Sequence, residues 1–308
     1  LMYMTKPHFS DHYLHSICVG TLGAYLLECP LFNIGNKKQK LITEFSKIMN
    51  VEPNKVVTIW WMAALLHDFA YPINILIDSA RDLAEELKQK FRLMGLQVSW
   101  PKFKLGQKGE KAAQILLNYA KSKMESTDYE KLRGLIENSI KINYGKAPNH
   151  GILSSILCLC TLPSHKPEVL EASLAICLHG LDDFTILFDH LPIAFLLILC
   201  DEAQEFNRER RQPKILPWRV EGPRFTPKYE VYVAAKKVKL EITDSSIEFK
   251  ITFDKNILKY GFDYKGYVDK KIKNLKRLKI DSNLYNLPTI KFQFSINGSI
   301  GKSITIGE

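Results

Sequence analysis

Apolar residues recur at helical spacing through the first two thirds of the chain and at every second position in its last quarter. Between Asp11 and Cys29, the residues His15, Cys18, Val19, Leu22 and Leu26 fall on one face, which predicts a helix that turns His15 inward. Short helices are expected over Lys40–Met49 and Val56–Ala70. In the second, Trp60, Ala63 and Ala64 precede His67 by seven, four and three residues, so the imidazole shares the buried face. Asp78–Met94 is amphipathic and Lys111–Lys123 is a weaker helix. Thr127 and Glu130 have the spacing of a capping box that opens a helix to about Asn143.

Three more helices complete this pattern. His150 shares a face with Leu153, Ser154 and Leu157. Pro167 opens a helix that ends at His179-Gly180, with Ala172, Ala175 and Ile176 on the histidine's face. Pro192 opens the most apolar segment, and Asp201 emerges from it one turn beyond Leu197 and Ile198.

Prolines at 213, 217, 223 and 227 then interrupt all periodicity. Beyond them Val238, Leu240 and Ile242 alternate, as do Ile247, Phe249, Ile251 and Phe253, which predicts a hairpin. Tyr264–Lys279 reads as a basic helix with Val268, Ile272 and Leu275 inward. Thr289–Ile296 and Ser299–Ile306 form a second hairpin turned at Asn297-Gly298. The expected fold class is mostly α: a helical bundle over residues 1–210, a proline-rich linker over 211–227, and a small basic α+β (ββαββ) accessory domain over 228–308.

At 308 residues, 46% hydrophobic and 25% charged, the chain can bury one large core and a smaller one. No apolar run reaches the ~18 residues of a membrane span, and the start at Leu1–Lys6 lacks a charged n-region followed by a signal-peptide core, so no membrane partner and a cytoplasmic location are expected. Six cysteines without a Cys-x-x-Cys pair argue for reduced core residues over a zinc or redox motif. The net charge of +10 is uneven: residues 225–308 hold 16 Lys and Arg against 9 Asp and Glu. Lys270, Lys271, Lys273 and Lys276 read as the wet face of a helix, and no recognised RNA-binding aromatic motif accompanies them, so nucleic acid is a disfavoured partner.

The candidate chemistry starts at Leu65-Leu66-His67-Asp68-Phe69-Ala70-Tyr71-Pro72. Burying an imidazole beside a carboxylate costs several kcal/mol unless a partner or a metal satisfies them. A metal is the economical reading. Inward or helix-terminal positions follow one another in the order His15, His67-Asp68, His150, His179, Asp201.

That order resembles the HD superfamily of metal-dependent phosphohydrolases, over roughly residues 8–210. Asp11-His12-Tyr13-Leu14-His15-Ser16 resembles the family's first histidine helix, Leu66–Pro72 its His-Asp doublet, and Ile198–Arg208 the helix with its last aspartate. The resemblance implies that His15, His67, Asp68 and Asp201 hold one metal. His150 and His179, with Asp68 bridging, would hold a second. Imidazole and carboxylate together suit divalent Mn, Fe, Ni or Zn better than Ca. His12 is a candidate substrate or supporting group, with a helix-end role as the alternative. Arg208 is a candidate phosphate clamp, with a solvated charge run as the alternative.

The implied activity is hydrolysis of a phosphate ester or anhydride in a small-molecule substrate such as a nucleotide, by metal-activated water with Asp68 at its centre. The chain departs from the subfamily that cleaves cyclic dinucleotides, since it has no Gly-Tyr-Pro segment after a His-His pair and Gly180 follows His179. Two alternatives stand beside this reading. One is a di-iron oxygenase, which resembles the same ligand order; the other is a non-catalytic module that senses a nucleotide or nucleic acid.

Overall fold

The computed structural model describes residues 8–34, 37–71, 73, 89, 92–93, 103–142, 149–204, 235, 237–243, 246–255, 263–281, 288–296 and 299–306. Most of them are helical. The helical periodicity of the sequence becomes α1 (His8–Glu28), α2 (Leu41–Met49), α3 (Pro53–Leu66), α4 (Gln107–Lys121), α5 (Ser126–Ile140), α6 (His150–Thr161), α7 (Pro167–His179) and α8 (Pro192–Ala203). Among the described residues no helix is long and apolar enough to cross a membrane.

Helix α7 occupies the middle of the bundle, against α3, α4, α6 and α8. Every residue from Ala172 to His179 is buried, as expected for a helix whose apolar residues run round its whole circumference. Helix α1 crosses α3 at close range because Gly20 and Gly23 face the indoles of Trp61 and Trp60. A Cβ on Gly23 would overlap Trp60 Cζ2. The Trp60 indole is fully buried and donates from Nε1 to the Gly20 carbonyl at 2.8 Å. This contact sets the spacing between the element that carries His15 and the one that leads to His67.

Several boundaries differ from the periodicity. Pro53, preorganised for a first helical turn, starts α3 three residues before Val56. The same helix stops at Leu66, so His67 and Asp68 lie in a following turn, closed by i to i−3 bonds such as Tyr71 N to Asp68 O at 2.9 Å. Helix α5 begins at Ser126, which places Thr127 inside the first turn instead of at a cap. Lys37–Lys40, with no apolar residue, forms β2 of a hairpin with β1 (Pro30–Ile34). Two two-residue strands, β3 (Phe103–Lys104) and β4 (Lys141–Ile142), pair with each other. Most of the predicted Asp78–Met94 helix and all of the 211–227 linker lie outside the described residues.

The C-terminal segment forms β6 (Lys237–Ile242), β7 (Ser246–Phe253), α9 (Tyr264–Lys276), β9 (Thr289–Ile296) and β10 (Ser299–Ile306), with one short strand between α9 and β9 that the expected ββαββ order lacks. The sheet runs β10-β9-β7-β6, antiparallel except for the parallel β7–β9 pair. A parallel pair needs a crossover, and α9 supplies it. Phe249 and Phe292 stack across that pair with centroids 4.6 Å apart, and Phe253 and Phe294 are buried with them.

Leu278 and Lys279, read from the sequence as the end of the basic helix, are instead a short strand, β8. It pairs in parallel with Ile186–Leu187, the strand β5 between α7 and α8. Ile186 N donates to Arg277 O at 2.8 Å and Phe188 N to Lys279 O at 3.0 Å. The C-terminal unit thereby shares backbone hydrogen bonds with the bundle.

Candidate metal centre

Helix ends supply most of the chemistry of this site. His67 follows the last residue of α3, His150 is the first of α6, His179 is the last of α7, and Asp201 sits in the last turn of α8. The His67 side chain is buried, and its Nδ1–H donates to the Ala64 carbonyl, three residues back, at 2.8 Å. His179 repeats the device, donating from Nδ1 to Ile176 O at 2.5 Å. His15 donates from Nδ1 to Gln204 Oε1 at 2.5 Å. The bonds to backbone carbonyls fix the tautomer of His67 and His179, and all three bonds leave Nε2 facing the cluster.

Asn149 brings His150 to His179. Its Oδ1 caps α6, accepting from Gly151 N at 2.8 Å and Ile152 N at 3.4 Å, while its Nδ2 donates to Gly180 O at 2.5 Å. One side chain thus joins the start of α6 to the end of α7. Gly151 permits the approach, since a Cβ there would lie 2.8 Å from the Ile176 carbonyl oxygen. As a result His150 Nε2 and His179 Nε2 are 3.2 Å apart.

Asp68 lies between two sets of imidazoles. Its Oδ2 is 3.7 Å from His67 Nε2, and its Oδ1 is 3.6 Å from His150 Nε2 and 3.9 Å from His179 Nε2. Asp201 Oδ1 is 2.8 Å from His15 Nε2 and 4.0 Å from His67 Nε2. Two groups able to hold a metal ion result, His15-His67-Asp68 and Asp68-His150-His179, and they share Asp68. The turn carrying Asp68 is anchored from α6, because the buried Ser154 hydroxyl accepts from Ala70 N at 2.9 Å.

The donor set fits a cation. Among the described residues His67 Nε2 is buried without a hydrogen-bond partner, a condition that costs about 1–3 kcal/mol unless something else satisfies it. The neighbouring Nε2 atoms of His150 and His179 stand close to the spacing of about 3.4 Å that two nitrogens have when each lies about 2.0–2.1 Å from one tetrahedral ion. Burial pushes the His179 imidazole down to about 3, the positive charge that His150 and His67 can carry adds to this, and Asp201 and Asp68 oppose it. Burial alone would raise the Asp201 carboxyl, but the His15 hydrogen bond and the surrounding imidazoles hold it below the ordinary range. A neutral imidazole beside an ionised carboxylate is the protonation state metal binding requires.

His15, His67 and His179 are almost fully enclosed, whereas the side chains of His150 and Asp201 keep 31% and 28% exposure. Solvent therefore reaches the cluster at those two side chains. Of the other predicted site residues, His12 lies on α1 with its side chain outside the described residues, and Arg208 lies outside them altogether. Gln204, Asn149 and Ser154 were not singled out from the sequence. Gln204 had a signal, standing three residues after Asp201 on the same helical face, and Asn149 had another, as an N-cap residue directly before His150. No family model, curated protein or solved structure matches the chain.

Proposed function

We propose that the protein is an HD-type metal-dependent phosphohydrolase that cleaves a phosphate ester or anhydride in a small molecule such as a nucleotide. The observation that carries this reading is the division of Asp68: one carboxylate oxygen faces His67, and the other faces His150 and His179. A single carboxylate between two imidazole sets is suited to bridging two ions. Bound there, two divalent transition metals such as Mn, Fe, Ni or Zn would supply a low-pKa water and polarise a phosphoryl oxygen.

The chain's own residues set the conditions for that chemistry. Nδ1 hydrogen bonds at His15, His67 and His179 keep each Nε2 aimed inward, and burial keeps His179 neutral. The exposed sides of His150 and Asp201 give a phosphoryl group its approach. In this reading Asp68 holds the bridge, while His12, three residues before His15, and Arg208, four residues past Gln204, are the candidates for contact with the substrate's phosphate. A nucleic-acid role is disfavoured because no recognised RNA-binding aromatic motif accompanies the basic residues, and at least four of the 16 Lys and Arg in residues 225–308 are paired internally. Lys239 and Lys250 pair with Glu241, Lys302 with Asp269, and Lys271 with Glu202.

The test is phosphate release from a panel of nucleotides and phosphate esters by the full chain loaded with Mn. Activity should vanish on chelation and return with the metal. Oxygen uptake without phosphate release would assign the centre to the oxygenase class. Nucleotide binding with no turnover would assign a sensing module.

A further inference from the structure

The last carbonyls of a helix have no partner within it and must find donors elsewhere when they are buried. Helix α7 ends at His179 and α8 ends two residues past Asp201, so two candidate ligands depend on helix ends that are held from outside. The C-terminal unit supplies the donors. Arg277 is buried, and its guanidinium donates from Nη2 to Leu178 O at 3.1 Å and to His179 O at 2.7 Å, and from Nη1 to Leu181 O. Its charge is also of the sign that a helix C-terminus favours.

The same face of α9 holds the other helix. Lys271, buried despite its place in a lysine-rich run, donates from Nζ to Glu202 O at 3.0 Å and to Glu202 Oε2 at 3.1 Å. Asn274 donates from Nδ2 to Glu202 Oε1 at 2.6 Å. Lys271 and Asn274 on α9 and Arg277, the residue that caps it, recur every three positions and so share one side. Asp201 adjoins the clamped Glu202, and Gln204, which orients His15, follows two residues later.

We infer that Arg277 and the Lys271–Asn274 pair are positioning residues of the metal centre, and that the C-terminal unit is a structural part of that centre. The inference rests on reading the six His and Asp side chains as metal ligands. Arg277 places His179, in the group with His150; Lys271 and Asn274 place Asp201, beside His15 and His67. The two arms therefore act on different halves of the cluster. Binding couples in both directions, so metal uptake must also tighten the face of α9 that holds the ligands.

The experiment is a cobalt(II) titration of the full chain, following the visible absorption bands and the bound stoichiometry, with circular dichroism as a check of folding. Arg277→Met should weaken the second cobalt at least tenfold and change its spectrum while sparing the first, the scale expected when a group supporting a ligand is removed. Arg277→Lys should recover part of that loss. Lys271→Met should weaken the first cobalt instead. A folded Arg277→Met chain that binds two cobalt ions with unaltered affinity and spectrum would overturn the inference.

If that variant does not fold, the unmodified chain decides. Cobalt should then slow hydrogen exchange of the amides over residues 271–279, and exchange there that ignores the metal would overturn the inference. A wild-type chain that takes up no cobalt would remove the metal reading itself, and this inference with it.

Discussion

His150 begins one helix and His179 ends another, yet their Nε2 atoms lie 3.2 Å apart because Asn149 bonds both helix ends. Burial and the neighbouring imidazoles keep His179 neutral, so its Nε2 offers a lone pair. Asp68 Oδ1 faces both rings, at 3.6 and 3.9 Å. Imidazole, tautomer and carboxylate are thus set in advance, which would lower the reorganisation that a metal bound there had to impose.

Because Asp68 belongs to both groups, Asp68→Ala should remove both metals, whereas His179→Ala should remove one. Elemental analysis of each purified variant, scaled to protein concentration, checks this. One metal retained at full occupancy in Asp68→Ala would show that the carboxylate does not bridge.

Asn149→Ala deletes the cap of α6 and leaves the Gly180 carbonyl without its donor. The lost cap costs roughly 0.5–2 kcal/mol and a carbonyl left unsatisfied about 1–3 kcal/mol more. Urea unfolding of the metal-free full chain should show a destabilisation of about 1.5–5 kcal/mol, with weaker metal binding in the folded variant. Gly180→Ala should act in the same direction, since its Cβ would meet Asn149 Oδ1 at 2.7 Å.

Gly23→Ala would push a methyl group onto the indole of Trp60, which is buried and tied to Gly20. Overpacking of this kind costs about 1–3 kcal/mol and moves backbone. Thermal unfolding should start lower, and the centre should bind metal less tightly because α1 carries His15 while α3 leads to His67. An unchanged melting temperature would show that the two helices separate without loss.

Local periodicity was enough to determine much of this protein. The helical repeat placed His15, His150, His179 and Asp201 on or at the ends of helices that the structure also contains, and the two-residue repeat marked β9 and β10 to the residue. Both repeats are set by which face of an element is buried, and that is written in consecutive residues. Tertiary structure decided the rest. Lys37–Lys40 has no apolar face and becomes a strand only by pairing with Pro30–Ile34; Leu278–Lys279 becomes one only beside Ile186–Leu187. Lys271 reads from the sequence as part of a wet helix face and Arg277 was not singled out, yet both are buried, because helix ends nearly a hundred residues earlier for Arg277, and about seventy for Lys271, need their hydrogen-bond donors. A sequence pattern carries the burial of a face; it carries no record of which distant carbonyl lacks a partner, and that is settled only when the elements pack.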